Sequence, residues 1–537
     1  MERNLPEFIA HHVGMFDGLE KEVALAYWNF ALTSRPEDEA ALNDAKRRLK
    51  AVYADRDAYS RVRTYDDDPQ TADPILRRQL RLLRLRYAGE QMPKDVQERI
   101  VELEGEAERI VNSYRAVYAG RKLSTNDVTD VLVSSNDSEK RRLVWESARA
   151  VGAEVGPTIL RLVGLRNRSA RDLGYRDYYD MALRLQEIDE AALMKTVAEV
   201  LELTEAPYGV EKARLDEELG ERFDLEPARL MPWHYADPFF QSAPPRKRID
   251  VDKFYAGKDL VELTTRCFDG LGLEIRDILE RSDLLPRAGK DQHAFCIHID
   301  RLGGDVRVLS NNADTENWMS TMLHEFGHAA YDKYLGADLP YLLREPAHML
   351  VTEAVAMFMG RLSKSADFLR TIAQAPKPKV AKAQKALEEQ ARLAMLIMAR
   401  WTTVMIHFEK ALYEDPGRDL DRTWWDLAER HQGLTRPPGR RNGDWASKIH
   451  LATAPVYYHN YLLGELVASQ LKAAMASRSG AAAIVDRREV GDFLRDKVFA
   501  AGASLPWNEL LEATTGTPLS PRFFVDGYLG NPPALRA

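Results

Sequence analysis

Apolar residues recur at intervals of three and four through long tracts of this chain, and that periodicity constrains its fold more than any other feature. It is clearest at 77–87 (RRQLRLLRLRY), 95–117 (DVQERIVELEGEAERIVNSYRAV) and 381–407, where good helix formers fill the intervening positions. Strand-like text is scarce. The best case is 294–299 (AFCIHI), then 301–305 carrying Gly303-Gly304, then 306–309 (VRVL), which predicts a short hairpin. No fixed-period repeat is visible, which argues against a helical solenoid. Two stretches break the pattern: 231–245 (MPWHYADPFFQSAPP), a loop crossing between lobes, and 436–444 (RPPGRRNGD). The expected fold is mainly α. It is one large helical unit over 1–537, with two lobes about a cleft, divided near residue 290.

Composition narrows the function. With 75 Lys and Arg against 83 Asp and Glu, the chain carries a net charge of −8 and no basic footprint for nucleic acid. Apolar residues make up 45% and charged residues 29%, as in a folded soluble protein. Two cysteines, Cys267 and Cys296, allow one disulfide at most and suit a reducing compartment. Residues 1–34 are charged throughout and lack the apolar run of a secretory signal, and no window is apolar enough to span a membrane. The C-terminal 530–537 (GNPPALRA) reads as a short frayed tail. The expectation is a cytoplasmic protein without a membrane partner, its oligomeric state open.

Chemistry concentrates at 321–331 (TMLHEFGHAAY). His324 and His328 stand four apart, so on a helix both project from one face and can share a metal ion. Glu325 follows the first histidine, where a carboxylate can take a proton from a metal-activated water. Gly327, Ala329 and Ala330 let another helix approach closely from behind. The next segment, 346–362 (PAHMLVTEAVAMFMGRL), has Glu353 as its only acid. A carboxylate there needs either a cationic neighbour or a metal; with the two histidines it would make a His₂Glu zinc set with one open position. Glu345, just before Pro346, competes for that place but is better suited to a loop.

Downstream, 444–470 (DWASKIHLATAPVYYHNYLLGELVASQ) places Lys448 and His450 two apart and Tyr457, Tyr458 and Tyr461 at a helix start after Pro455. A phenol and an imidazole can donate to an oxyanion, and a lysine can hold a carboxylate. Aromatic residues at helical spacing also serve as core.

Together HEFGH (324–328), REPAHMLVTEA (344–354) and KIH…PVYYHNYLLGELVASQ resemble the angiotensin-converting-enzyme family of zinc peptidases. That family lies within the wider clan of thimet-type oligopeptidases and helical zinc carboxypeptidases. Leu19–Glu37 (LEKEVALAYWNFALTSRPE), HQGL (431–434), SLPW (504–507) and the region of Tyr528 fit as well. The resemblance implies a helical ellipsoid with a deep central channel, an N-terminal helical lid in the first half and the catalytic machinery in 291–537. It implies one zinc ion on His324, His328 and Glu353, with Glu325 as general base and His450 and Tyr461 as oxyanion donors. Lys448 with Tyr458 or Tyr457 would hold the substrate carboxylate. The 294–299 strand, with His298, would pair with an oligopeptide substrate. The implied activity is release of C-terminal dipeptides. Alternatives are a single-residue carboxypeptidase, to which 293–295 (HAF) and 305–307 (DVR) are similar, an oligoendopeptidase, or a non-catalytic peptide-binding protein.

Three positions depart from the family pattern. Met357 stands where an aspartate orients a zinc histidine, so another group must do so. Asn460 and Ala428 replace arginines that bind chloride, which predicts no chloride activation. The glutamine that helps hold the carboxylate has no match in the sequence.

Overall fold

The three tracts of helical periodicity are helices in the computed structural model, which describes residues 4–68, 71, 73–244, 250–479 and 484–529. They run Pro74–Gly89, Lys94–Ser113 and Lys377–Glu414. The second is shorter than its sequence pattern: Ala116–Tyr118 pairs with Arg121–Leu123 as a small antiparallel hairpin about Gly120. The helix ends at Ser113, where Tyr114 turns extended, and positive φ at Ala119 and Gly120 makes the hairpin turn. The predicted hairpin is present as Phe295–Asp300 against Asp305–Leu309, with Cys296 opposite Val308 and an irregularity between His298 and Asp300. These two-stranded sheets are the only ones among the described residues, so the fold is mainly α. No described helix is long and apolar enough to cross a membrane. Residues 530–537 and Pro245 lie outside the described residues.

Helix Leu5–Thr33 begins at Asn4, whose side chain accepts from the Glu7 N–H at 3.0 Å. It lies over the second hairpin, where Trp28 and Ala31 pack with Ile299 and Leu309. Its other end packs Phe8 and Phe16 against Tyr53, Leu80, Leu83 and Tyr87. Arg86 ties these parts together, donating to Glu20 at 2.9 Å and to both oxygens of Glu345 at 3.0 Å. Arg301, from the hairpin turn, lies 3.2 Å from Glu345. Glu345 is therefore held well below its usual pKa against the pull of burial. It belongs to this ion network and not to the metal donors.

Three helices frame the site: Glu316–Lys333, Met349–Arg361 and Tyr458–Ser479. Their close approach depends on glycine. A Cβ on Gly327 would stand 3.0 Å from Ala356 Cα, and one on Gly360 3.1 Å from the Ser320 carbonyl. Filling such a contact costs about 1–3 kcal/mol and pushes the helices apart. Gly464 gives the third helix the same access, facing the Met357 methyl. One continuous apolar core, from Leu103 through Leu323 and Ala354 to Phe524, encloses all three.

Candidate active site

The helix Glu316–Lys333 carries His324 and His328 one turn apart, their ring centroids separated by 4.9 Å. Glu353 reaches across from Met349–Arg361, with one oxygen 3.7 Å from His324 Nε2 and the other 3.9 Å from His328 Nε2. These three are the one group of potential metal donors among the described residues, one atom from each lying within 4.8 Å of the others. Donors on a tetrahedral zinc with bonds of ~2.0–2.1 Å sit about 3.4 Å apart. Small side-chain shifts close the difference, so the residues fit the ion.

The histidines are also in the right state. Burial drives His324 down to about 4, and burial with the neighbouring ring drives His328 to about 3. Neutral imidazoles keep a lone pair for a metal. His328 Nδ1 donates to Thr352 Oγ1 at 2.7 Å, and the His324 ring bonds to the Ala356 carbonyl. With Nδ1 so engaged, His328 keeps Nε2 as the free acceptor. This answers the missing aspartate: Met357 turns its methyl to Gly464, while Thr352 and Ala356 orient the rings.

Glu325 is buried and accepts from the Cys296 N–H on the strand Phe295–Asp300. Burial, then the charge of Glu353, pushes its carboxyl up to about 8. The strand that the sequence assigns to substrate thus has its edge against the assigned base. His298 lies on the same strand, driven to about 4 by burial, with Nε2 buried and unpartnered. It lines a cavity of about 540 Å³ with Lys21, Tyr27 and Tyr341, between the helix Leu5–Thr33 and the hairpin.

The tyrosines divide between two places. Tyr461 is 40% exposed, and both it and Tyr457, whose rings are 5.3 Å apart, feel the charge of Glu353. Burial and that charge raise Tyr457 to about 12. Tyr458 is buried and turned the other way, its ring 5.8 Å from Trp401 and 5.4 Å from His450. Lys448 Nζ lies 5.6 Å from the Trp401 ring centre and 5.1 Å from that of Phe239, and donates to Gln241 Oε1 at 2.8 Å. Burial lowers Lys448 to about 8 despite the nearby Asp237. His450 Nδ1 is buried without a partner.

Gln241 is the residue that sequence reasoning missed. Asp237 accepts from the backbone N–H groups of Phe239, Gln241 and Ser242, and so shapes the loop that presents it. Gln432, in the HQGL segment, donates to the Phe239 and Phe240 carbonyls from behind.

The family model described as "Angiotensin-converting enzyme" matches residues 1–213 and 253–521. The chain belongs to the angiotensin-converting enzyme family. Among curated members of that family, the angiotensin-converting enzyme of Sus scrofa is 23% identical over 448 residues, covering 73% of this chain and 32% of its own. That of Mus musculus is 24% identical over 442 residues, with the same two coverages. The Theromyzon tessulatum enzyme is 22% identical over 430 residues, covering 73% of this chain and 68% of its own. The chain thus spans about a third of the length of the two mammalian members. Gln241 falls between the two matched stretches, in residues that the family pattern leaves out.

Proposed function

We propose that this protein is a zinc peptidyl-dipeptidase that removes dipeptides from the free C-termini of short peptides. The observation that carries the reading is a pairing of two sites. One is the His₂Glu donor set with Glu325 beside it; the other is a separate cluster in which Lys448 donates to Gln241 and shares the Trp401 ring with Tyr458. Family membership supports it.

His324, His328 and Glu353 would hold the zinc ion, which would supply Lewis acidity to the scissile carbonyl and the attacking water. Glu325 takes the water's proton and returns it to the leaving amine; its apolar setting gives it the proton affinity that both steps need. Tyr461, beside Glu353, and His450, with its unpartnered Nδ1, donate to the oxygen that gains charge. Lys448 and Gln241 receive the substrate's terminal carboxylate, with the Tyr458 phenol beside them. The peptide backbone runs along Phe295–Asp300 as an added strand, past His298. The helix Leu5–Thr33 acts as the lid that limits substrates to oligopeptides. The continuous core from Leu103 to Phe524 supports a single peptidase unit through that span. The free thiols of Cys267 and Cys296 suit the cytoplasm.

Mass spectrometry of products from one short peptide, with free and amidated C-termini, tests the reading. Dipeptide release that amidation abolishes is the expected result. Release of single residues, or internal cuts indifferent to amidation, would replace it with a carboxypeptidase or oligoendopeptidase.

A further inference from the structure

The segment between His450 and the tyrosines contains a strained residue. Val456 has φ 54°, in the left-handed region that a β-branched side chain rarely adopts. It is buried and immediately precedes Tyr457 and the helix Tyr458–Ser479. Such a conformation persists only where the surroundings over-determine it.

They do so from two sides. The Val456 N–H donates to Glu409 Oε1 at 2.7 Å, and Glu409 is buried in the last two turns of Lys377–Glu414. The Val456 carbonyl accepts from Gln186 Nε2 at 3.4 Å, a long bond shared with the Ala182 carbonyl at 3.1 Å. The same Gln186 accepts at Oε1 from Asn460 Nδ2 at 2.8 Å and His459 Nε2 at 3.2 Å, one turn into the tyrosine helix. Its backbone carbonyl accepts from His348 Nε2 at 2.6 Å, and His348 caps the helix that carries Glu353. Upstream, Arg166 bonds the carbonyls of Leu451 and Ala452 at 3.2 and 2.5 Å, fixing the end of the short helix His450–Thr453.

We propose that Glu409 and Gln186 form a two-sided clamp that holds Val456 in its left-handed conformation. The clamp thereby fixes the turn that aims Tyr461 at the metal donors and Tyr458 at the Lys448 pocket. Both are positioning residues, and neither touches substrate. Gln186 adds a link between the tyrosine helix and the Glu353 helix, so the oxyanion donor and a metal ligand share one reference point. The inference rests on the peptidase reading for its kinetic part alone.

The experiment compares Glu409→Leu, Glu409→Gln and the double variant Glu409→Leu/Val456→Gly, with peptide turnover and hydrogen–deuterium exchange as readouts. Loss of the acceptor in Glu409→Leu is expected to lower kcat about 10–100-fold with KM nearly unchanged, since a displacement of ~1 Å at a reacting group costs that much. The glutamine variant keeps an oxygen acceptor and is expected to restore most of kcat. Glycine adopts positive φ without strain, so the double variant should recover several-fold over Glu409→Leu. Exchange should rise in the peptide spanning 455–461 and stay unchanged in the histidine-bearing helix. If Glu409→Leu does not fold, Gln186→Ala is expected to show the same kcat-selective loss, smaller in size. An unchanged kcat, an equal loss in the glutamine variant, or no recovery with glycine would overturn the clamp. If the wild-type protein cleaves no peptide, the proposed function fails, while the exchange difference still decides the clamp.

Discussion

The metal face and the proposed carboxylate pocket differ in how they are assembled. The first is built from two helices that follow one another in the chain, and His324, Glu325 and His328 share one turn of one of them. The second gathers Gln241 from a loop, Trp401 from a long helix, Lys448 from a short irregular stretch and Tyr458 from a later helix. Local geometry fixes the first almost by itself, because helical spacing puts both imidazoles on one side. The second exists only through tertiary packing, through Asp237 and Gln432 shaping one loop and Glu409 holding another. Chemistry at the first should therefore fail by loss of rate, and at the second by loss of binding.

Glu325→Gln gives the largest separation. It removes the base and keeps the three donors, so kcat is expected to fall about 10³-fold or more while bound zinc, measured by elemental analysis, stays at one per chain. Retained turnover would take the base away from this residue. Tyr461→Phe comes next, with kcat down ~10²–10³-fold and KM nearly unchanged. Tyr457→Phe should cost far less. Reversal of the two would pass the oxyanion role to Tyr457.

The same contrast explains what the sequence could reveal. Helical periodicity and the scarcity of β-branched runs sufficed for the fold class, and four residues of spacing sufficed for the histidines. Glu353 was legible because a lone acid in an apolar helix needs a partner. Gln241 was not, since nothing local distinguishes an amide in an aromatic loop until Lys448 is brought to 2.8 Å. The hairpin at 116–123 was hidden because helical periodicity runs through to Val117, although the backbone turns extended at Tyr114 and the chain reverses at Ala119 and Gly120. The replacement for the family aspartate was hidden too, since Thr352 and the Ala356 carbonyl orient the rings only through the helix's rotation.

Breaking the carboxylate pocket should produce the opposite kinetic pattern. Lys448→Ala and Gln241→Leu are each expected to raise KM for a peptide with a free C-terminus about 10–100-fold, in line with the loss of a charge-assisted hydrogen bond. The amidated peptide should show little further loss. The anchor also has a pH signature. Burial lowers the Lys448 ammonium to about 8, and only the protonated form attracts a carboxylate. The anchoring charge is therefore present below that pH and lost above it, so kcat/KM should fall on the alkaline side of pH about 8. Lys448→Arg, which stays charged, should remove that limb. An alkaline limb that survives in the arginine variant would assign it to another group.

The smallest expected effects test the two departures from the family pattern. Thr352→Val removes the acceptor for His328 Nδ1 at 2.7 Å, and zinc affinity is expected to drop about 10-fold, since partners of metal-bound histidines contribute ~10–100-fold. Met357→Asp is expected to bring no gain, because the side chain faces Gly464 and would place a carboxylate in an apolar contact. A tighter zinc site in that variant would show that the helix can rotate to use it. Chloride is the limiting case. Asn460, in place of an arginine, is neutral, and its amide donates to Gln186 at 2.8 Å. An internal amide pair thus takes the position where a bound anion would otherwise be needed. Turnover should stay flat as chloride replaces acetate at constant ionic strength. A rise would mean that an anion reaches the tyrosine helix by some other cationic group, and that Gln186 does not by itself complete the link to the catalytic tyrosine.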